Sequence, residues 1–197
     1  MECITKYEDP ILQNIIGQID RPIIDSTNAV FHDLMSCIIE QQIHYRSSKR
    51  IFAKVLERAG IERLTLENFH LLEQYSLPHI KLSASKYDTM LAFIDYWSKN
   101  TLDFNNLSDE EVRTELSGIK GIGKWTIDMI LLYTLNRPNI FPYDDFHLKQ
   151  IMTSLYDLNP GSKLKAQMLE VSKNWGGQRS LAVLYLFAWK EFKKRTG

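Results

Sequence analysis

Cysteine is scarce: Cys3 and Cys37 are the only two in 197 residues, so neither a disulfide framework nor a paired-cysteine zinc site is available. That usage suits a reducing compartment, the cytoplasm. No apolar run reaches the ~20 residues a membrane-spanning helix needs, and the N-terminus shows no basic-then-apolar leader. The expectation is a soluble, unexported chain with no membrane partner. An excess of one charge is also missing: 24 Lys+Arg stand against 24 Asp+Glu. Any hold on a polyanion must therefore be local, modest and quickly weakened by salt. Period-two alternation and internal repeats are absent too, which excludes a sheet protein and a solenoid. With 44% hydrophobic residues the chain can bury a sizeable core, as one all-α domain or two small lobes.

What is present is helical periodicity. Asp9-Pro10 reads as an N-cap with proline at the first helical position. Phe31, Leu34, Met35, Ile38 and Ile39 keep the spacing of a helix with one buried face, and Ile51, Phe52, Val55 and Leu56 repeat it before Gly60 closes that helix. Asn68 to Tyr75 forms a short helix. Tyr87, Met90, Leu91, Ile94 and Trp97 make another stripe, and His79, Lys81 and Lys86 are scattered cations near it. Leu164, Met168, Val171 and Trp175 mark a further helix. The last, from Ser180 to Phe192, is apolar on most sides and so largely buried, with Lys190, Lys193, Lys194 and Arg195 as end charges favourable at a helix C-terminus.

The chain's organising stretch runs from Leu116 to Gln150. Ser108 and Glu111 form a capping box, with Leu107 and Val112 placed as a hydrophobic staple, so a helix starts there and ends near Leu116. Gly118, Gly121 and Gly123 permit positive φ and close backbone approach. Ile122, Thr126, Met129, Ile130 and Tyr133 then give a second helix one apolar face. Such a turn presents backbone amides at a helix N-terminus, and with Lys120 and Lys124 beside it a phosphate can bind. An ordinary αα-hairpin, with glycines that only make the turn, fits the same spacing. After the breaker Asn136-Arg137-Pro138-Asn139, Phe141-Pro142-Tyr143-Asp144-Asp145 opens another helix, where either aspartate can serve as N-cap.

The sequence from Leu116 to Thr126 fits L-x-G-[IVL]-x-G-[IVL]-G-x-x-T, and an aspartate follows at the next helix start. This resembles the helix-hairpin-helix DNA glycosylase superfamily. The run I-I-E-Q-Q-I-H-Y-R-S-S around Gln42 resembles that family's I-x-x-Q-Q-[IL]-S junction. Leu82 to Tyr87 resembles its L-S-x-x-K segment, and Trp175 with Arg179-Ser180 its W-x-P-x-R-S segment. In that last segment Gly177 replaces the proline, and Phe187 stands where a later tryptophan is expected. The resemblance covers nearly the whole chain. It implies a compact helix-hairpin-helix glycosylase fold without the β-rich N-terminal domain: lobe A over 30–137, carrying the hairpin at 108–135, and lobe B of 1–29 with 138–197. The catalytic carboxylate would lie at the mouth of the cleft between them.

The resemblance also assigns roles. Asp145 is the catalytic aspartate, with Asp144 as the alternative. Trp125 occupies the position at which lyase relatives carry a Schiff-base lysine, which points to the monofunctional 3-methyladenine DNA glycosylase II branch. Trp125, Met129 and Phe187 line the base pocket. Gln42 fills the gap left by an extracted base, while Gly121, Gly123, Lys124 and Thr126 hold the strand. Backbone carbonyls of Ser117, Ile119 and Ile122 can bind a Na or K ion. No further cofactor is required, and no cysteine follows Cys37 to hold an iron–sulfur cluster. The expected partner is double-stranded DNA containing damaged bases, met by a monomer. Other readings are a non-catalytic helix-hairpin-helix DNA-binding module, a glycosylase for another lesion or with lyase activity, and, more distantly, a small-molecule enzyme using Asp144 and Asp145.

Overall fold

A computed structural model describes residues 7–40 and 49–196, and every regular element among them is a helix. The chain divides into two compact units, Ser26–Leu135 and Met1–Asp25 with Asn136–Gly197. No helix among the described residues is long and apolar enough to cross a membrane.

The first unit is built on α2 (Val30–Glu40), which is buried along almost its whole length. It packs against α3 (Lys49–Ala59) and α5 (Ala84–Lys99); α4 (Phe69–Tyr75) packs on α3. Gly60, at φ +69°, ends α3. Phe31 of α2 stacks on Phe93 of α5, and Trp97 stacks on Phe104 with 5.5 Å between ring centroids. This aromatic cluster turns α5 away from the stripe its sequence suggests. Met90 and Phe93 are fully buried, whereas Tyr87 and Leu91 lie 37% and 44% exposed.

A hydrogen-bond network secures the unit's centre. Asp33, buried within α2, accepts from the hydroxyls of Thr27 at 2.6 Å and Thr134 at 2.7 Å. Thr134 lies in a π-helical turn, Ile130–Thr134, that continues α7 (Lys124–Met129). In that turn the Leu135 amide reaches back five residues to the Ile130 carbonyl. The periodicity of the sequence predicts one uninterrupted α-helix here. The wider turn is where Thr134 meets Asp33, and a π-turn is commonly retained for such a side-chain placement.

The second unit comprises α1 (Pro10–Ile16), α8 (Phe146–Leu155), α9 (Leu164–Ser172) with a 3₁₀ turn at Lys173–Trp175, and α10 (Arg179–Thr196). As its sequence suggests, α10 is mostly buried; it packs on α1 and α8. Asp9 is the unit's polar anchor. Its Oδ1 caps α1 by accepting from the amides of Ile11 and Leu12, and its Oδ2 accepts from Tyr156 Oη and Trp175 Nε1, each at 2.7 Å. Burial first, and then the Asp9 carboxylate, push the Tyr156 hydroxyl well above the ordinary tyrosine range. Trp175 is only 2% exposed. The Trp175 segment is thus held in place by a carboxylate from the opposite end of the sequence.

Replacing Asp9 with alanine removes a helix cap and leaves two buried donors without an acceptor. Together these losses amount to about 3–5 kcal/mol. Urea unfolding followed by circular dichroism should show this loss, while Asp9→Asn, which keeps an acceptor oxygen, should lose less. A loss below about 1 kcal/mol for Asp9→Ala would contradict the anchoring role.

Candidate functional site

The hairpin joins α6 (Asp109–Ser117) to α7. The capping box that starts α6 is present in both directions: Ser108 accepts from the Glu111 amide, and the Glu111 side chain accepts from the Ser108 amide. The turn that follows differs from the expectation for its three glycines. Gly118 and Gly123 have φ −69° and −92°, values open to any residue. Gly121 alone has a positive φ, +90°, and a Cβ there would stand 2.0 Å from Thr89 Oγ1. One glycine is therefore required twice, by its backbone angle and by its contact with α5.

The turn closes on itself, with the Ile119 amide bonded to the Leu116 carbonyl and the Ile122 amide to the Ile119 carbonyl at 3.1 Å. Gly121 and Gly123 are exposed, and Gly123 caps α7 with no side-chain acceptor over its first amides. Exposed amides at the N-terminus of α7 offer donors to an anion. Of the carbonyls suggested as cation ligands, that of Ile119 already accepts the Ile122 amide. Ser117 lies at the end of α6, where carbonyls lack intrahelical partners. Oxygen donors of this kind suit a hard monovalent ion. Among the described residues no His, Cys, Asp and Glu cluster suits a metal.

Lys124 is exposed, as its sequence position suggests, but it is also ion-paired. Its ammonium is bonded to Asp128 Oδ2, while Arg113 Nη1 of α6 bonds Asp128 Oδ1 at 2.6 Å. Asp128 is fully buried, whereas the side chains of Arg113 and Lys124 are 28% and 40% exposed. The carboxylate is buried while its cations are part-exposed, so losing a cation costs more than breaking an exposed pair and less than the roughly 3–5 kcal/mol of a fully buried one. The triad therefore clamps α6 to α7. Thr126 is 3% exposed and lies in the core. Lys86 is likewise engaged, donating to the Ile39 carbonyl at the end of α2 at 2.8 Å. Lys120, in the turn itself, is exposed.

Of the proposed pocket residues, Met129 is 1% and Phe187 4% exposed, each inside its own unit's core, and only Trp125 is part-exposed. Their apolar spacing marks helix faces, and that signal is the same for a core residue as for a pocket wall. Gly177 is exposed, with open space where a Cβ would sit. Gln42 lies outside the described residues.

The second unit carries the carboxylates. Asp145 is the N-cap of α8; its Oδ1 accepts the Leu148 amide at 2.7 Å, and the residue is 7% exposed. Asp144 is exposed and lies in the field of Lys165, whose ammonium covers the Tyr143 ring at 4.1 Å. The capped aspartate is thus the constrained one, at a helix end that stabilises negative charge. Sequence reading missed its neighbourhood. Lys190 of α10 bonds His147 Nδ1 at 2.7 Å and Gln150 Oε1 at 3.2 Å. Burial first, then Lys194, hold the Lys190 ammonium below the usual lysine range, against the opposing pull of Glu191 and Asp145. These partners lie some 40 residues apart in sequence, so no local signal announces them.

The Gly121→Ala variant should lose at least about 2 kcal/mol of stability, because the angle is strained and the Cβ meets Thr89. Thr89→Gly in the same chain should restore part of this by opening space. Unfolding curves indistinguishable from wild type would show that the turn does not need its glycine.

No protein-family model matches the chain. A Bacillus subtilis protein with a provisional DNA-3-methyladenine glycosylase name is 27% identical over 168 residues, 81% of this chain and 58% of its own length. DNA-3-methyladenine glycosylase 1 of Schizosaccharomyces pombe is also 27% identical over 168 residues, 83% of this chain and 72% of its own. The chain therefore spans little more than half of the first relative. Among solved structures, an S. pombe 3-methyladenine DNA glycosylase in complex with abasic DNA superposes with a TM-score of 0.68 at 24% identity, covering 92% of this chain and 89% of that one. A Clostridium acetobutylicum 8-oxoguanine glycosylase/lyase with double-stranded DNA gives 0.70 at 22% identity, over 94% of this chain and 67% of that one. The architecture is thus common to enzymes of different lesion and chemistry, and the sequence likeness is to the alkylation branch. The chain has the helix-hairpin-helix DNA glycosylase fold and is related in sequence to the DNA-3-methyladenine glycosylases.

Proposed function

We propose that this chain is a monofunctional DNA glycosylase that flips alkylated bases of the 3-methyladenine type out of duplex DNA and hydrolyses the base–sugar bond, acting as a cytoplasmic monomer. The observation that carries this reading is Asp145: a buried capping carboxylate at the helix start that follows a glycine hairpin, in a chain whose relatives are named for this activity.

Breaking the glycosidic bond leaves an oxocarbenium-like sugar. An ionised carboxylate held in fixed geometry stabilises that charge and orients the attacking water. In this mechanism the Leu148 amide bond to Oδ1 removes the need to order Asp145 during the reaction. Flipping costs a few kcal/mol, less for a damaged and poorly paired base. Gln42 fills the vacated gap, and the amides at Gly121–Gly123 with Lys120 hold the backbone. A monovalent ion on the Ser117, Ile119 and Ile122 carbonyls would add positive charge beside that phosphate.

Trp125 separates this reading from a lyase, because an indole cannot form a Schiff base. With Met129 and Phe187 in the cores, the case for cationic adducts rests on the part-exposed Trp125. Its face attracts a positively charged base by roughly 0.5–2 kcal/mol over a neutral one. Such a base leaves without being protonated first, so the site needs no general acid.

Single-turnover excision from a duplex with one 3-methyladenine tests the assignment. Asp145→Asn should slow base release by about 10²–10³-fold or more, with duplex affinity retained and Asp144→Asn much milder. Near-normal excision by the Asp145 variant would remove this residue from the mechanism.

A further inference from the structure

We infer that Asp128 sets how much positive charge the hairpin offers to a DNA backbone, by keeping the Lys124 ammonium paired. The inference rests on the reading of the hairpin as the backbone contact and adds a specificity-determining residue to it.

Three observations carry it. Asp128 is fully buried, and each of its oxygens has its own cation, Arg113 on Oδ1 and Lys124 on Oδ2. Because Asp128 is buried, Lys124 turns to a phosphate only by giving up the pair that neutralises Oδ2. Lys124 also stands at the first position of α7, where the helix dipole disfavours a cation, and lysine four residues before an acid is the weaker order for a helical pair. Local helix rules do not call for a lysine here, whereas the buried carboxylate does. Finally, the whole chain has zero formal net charge, so each cation released at the hairpin is a large fraction of its electrostatic grip.

The consequence concerns selectivity. Backbone contacts supply most of the affinity for undamaged duplex, and undamaged sites vastly outnumber lesions. A lysine neutralised in place leaves the turn amides and Lys120 to hold the strand and keeps indiscriminate binding low. Freeing Lys124 would add one phosphate contact everywhere along DNA and no recognition of the lesion.

Fluorescence anisotropy with an undamaged duplex across a range of salt concentrations tests this on the full chain. Lys120→Gln should flatten the slope of log affinity against log salt by about 0.9, the value of one phosphate contact, and Lys124→Gln should leave it unchanged. Asp128→Asn should tighten binding and steepen the slope by about 0.9, and adding Lys124→Gln to it should cancel that gain. A flattened slope for Lys124→Gln equal to that of Lys120→Gln would overturn the inference, and this arm holds even if the Asp128 variant does not fold. A gain that survives in the double variant would overturn it as well. Wild-type binding that ignores both salt and Lys120→Gln would instead defeat the hairpin reading beneath it, and the inference with it.

Discussion

The hairpin keeps one shape because its turn passes through a backbone angle that only glycine holds without strain, at a point where no side chain fits. Gly121 at φ +90° rests on Thr89, and so the turn is fixed to α5 as well as to its own two helices. From there a chain of contacts runs through the first unit. One turn of α5 earlier, Lys86 donates to the Ile39 carbonyl of α2, while Glu40, buried at the end of α2, accepts the Phe52 amide of α3 at 2.8 Å. Both helices flanking residues 41–48, the stretch that contains Gln42, are thereby tied down by charged side chains.

Several cations are engaged within the fold. Lys124 and Arg113 are engaged by Asp128, Lys86 by a helix-end carbonyl, and Lys190 by His147 and Gln150. These cations fix internal geometry, in a chain whose formal charges cancel. Backbone amides at the hairpin stand beside Lys120 as donors for a phosphate, and they carry no side-chain entropy cost on binding. Such a grip is sequence-independent, in keeping with the proposed role.

The helical class, the capping box at Ser108 and Glu111, the proline-led α1 and the aspartate at the start of α8 were all legible in the sequence. Each is a local rule with a local cause. Less legible was anything decided by contacts distant in sequence. The family resemblance put Phe187, and the helix face shared with Trp125 put Met129, on the pocket wall, yet both are buried in their units' cores. The rotation of α5 depends on Phe31, more than 50 residues away, and the π-turn depends on Thr134 meeting Asp33 across the unit. The pairing of Lys124 with Asp128 was not legible either, because a sequence shows a charge without showing its partner.

The most direct test of the account is to incubate the protein with alkylated duplex DNA, chromatograph the released bases and examine the strands for breaks. The account predicts free 3-methyladenine with the DNA backbone left intact until alkali is added. Release of no base, or strand cleavage by the protein itself together with a borohydride-trapped adduct, would contradict it.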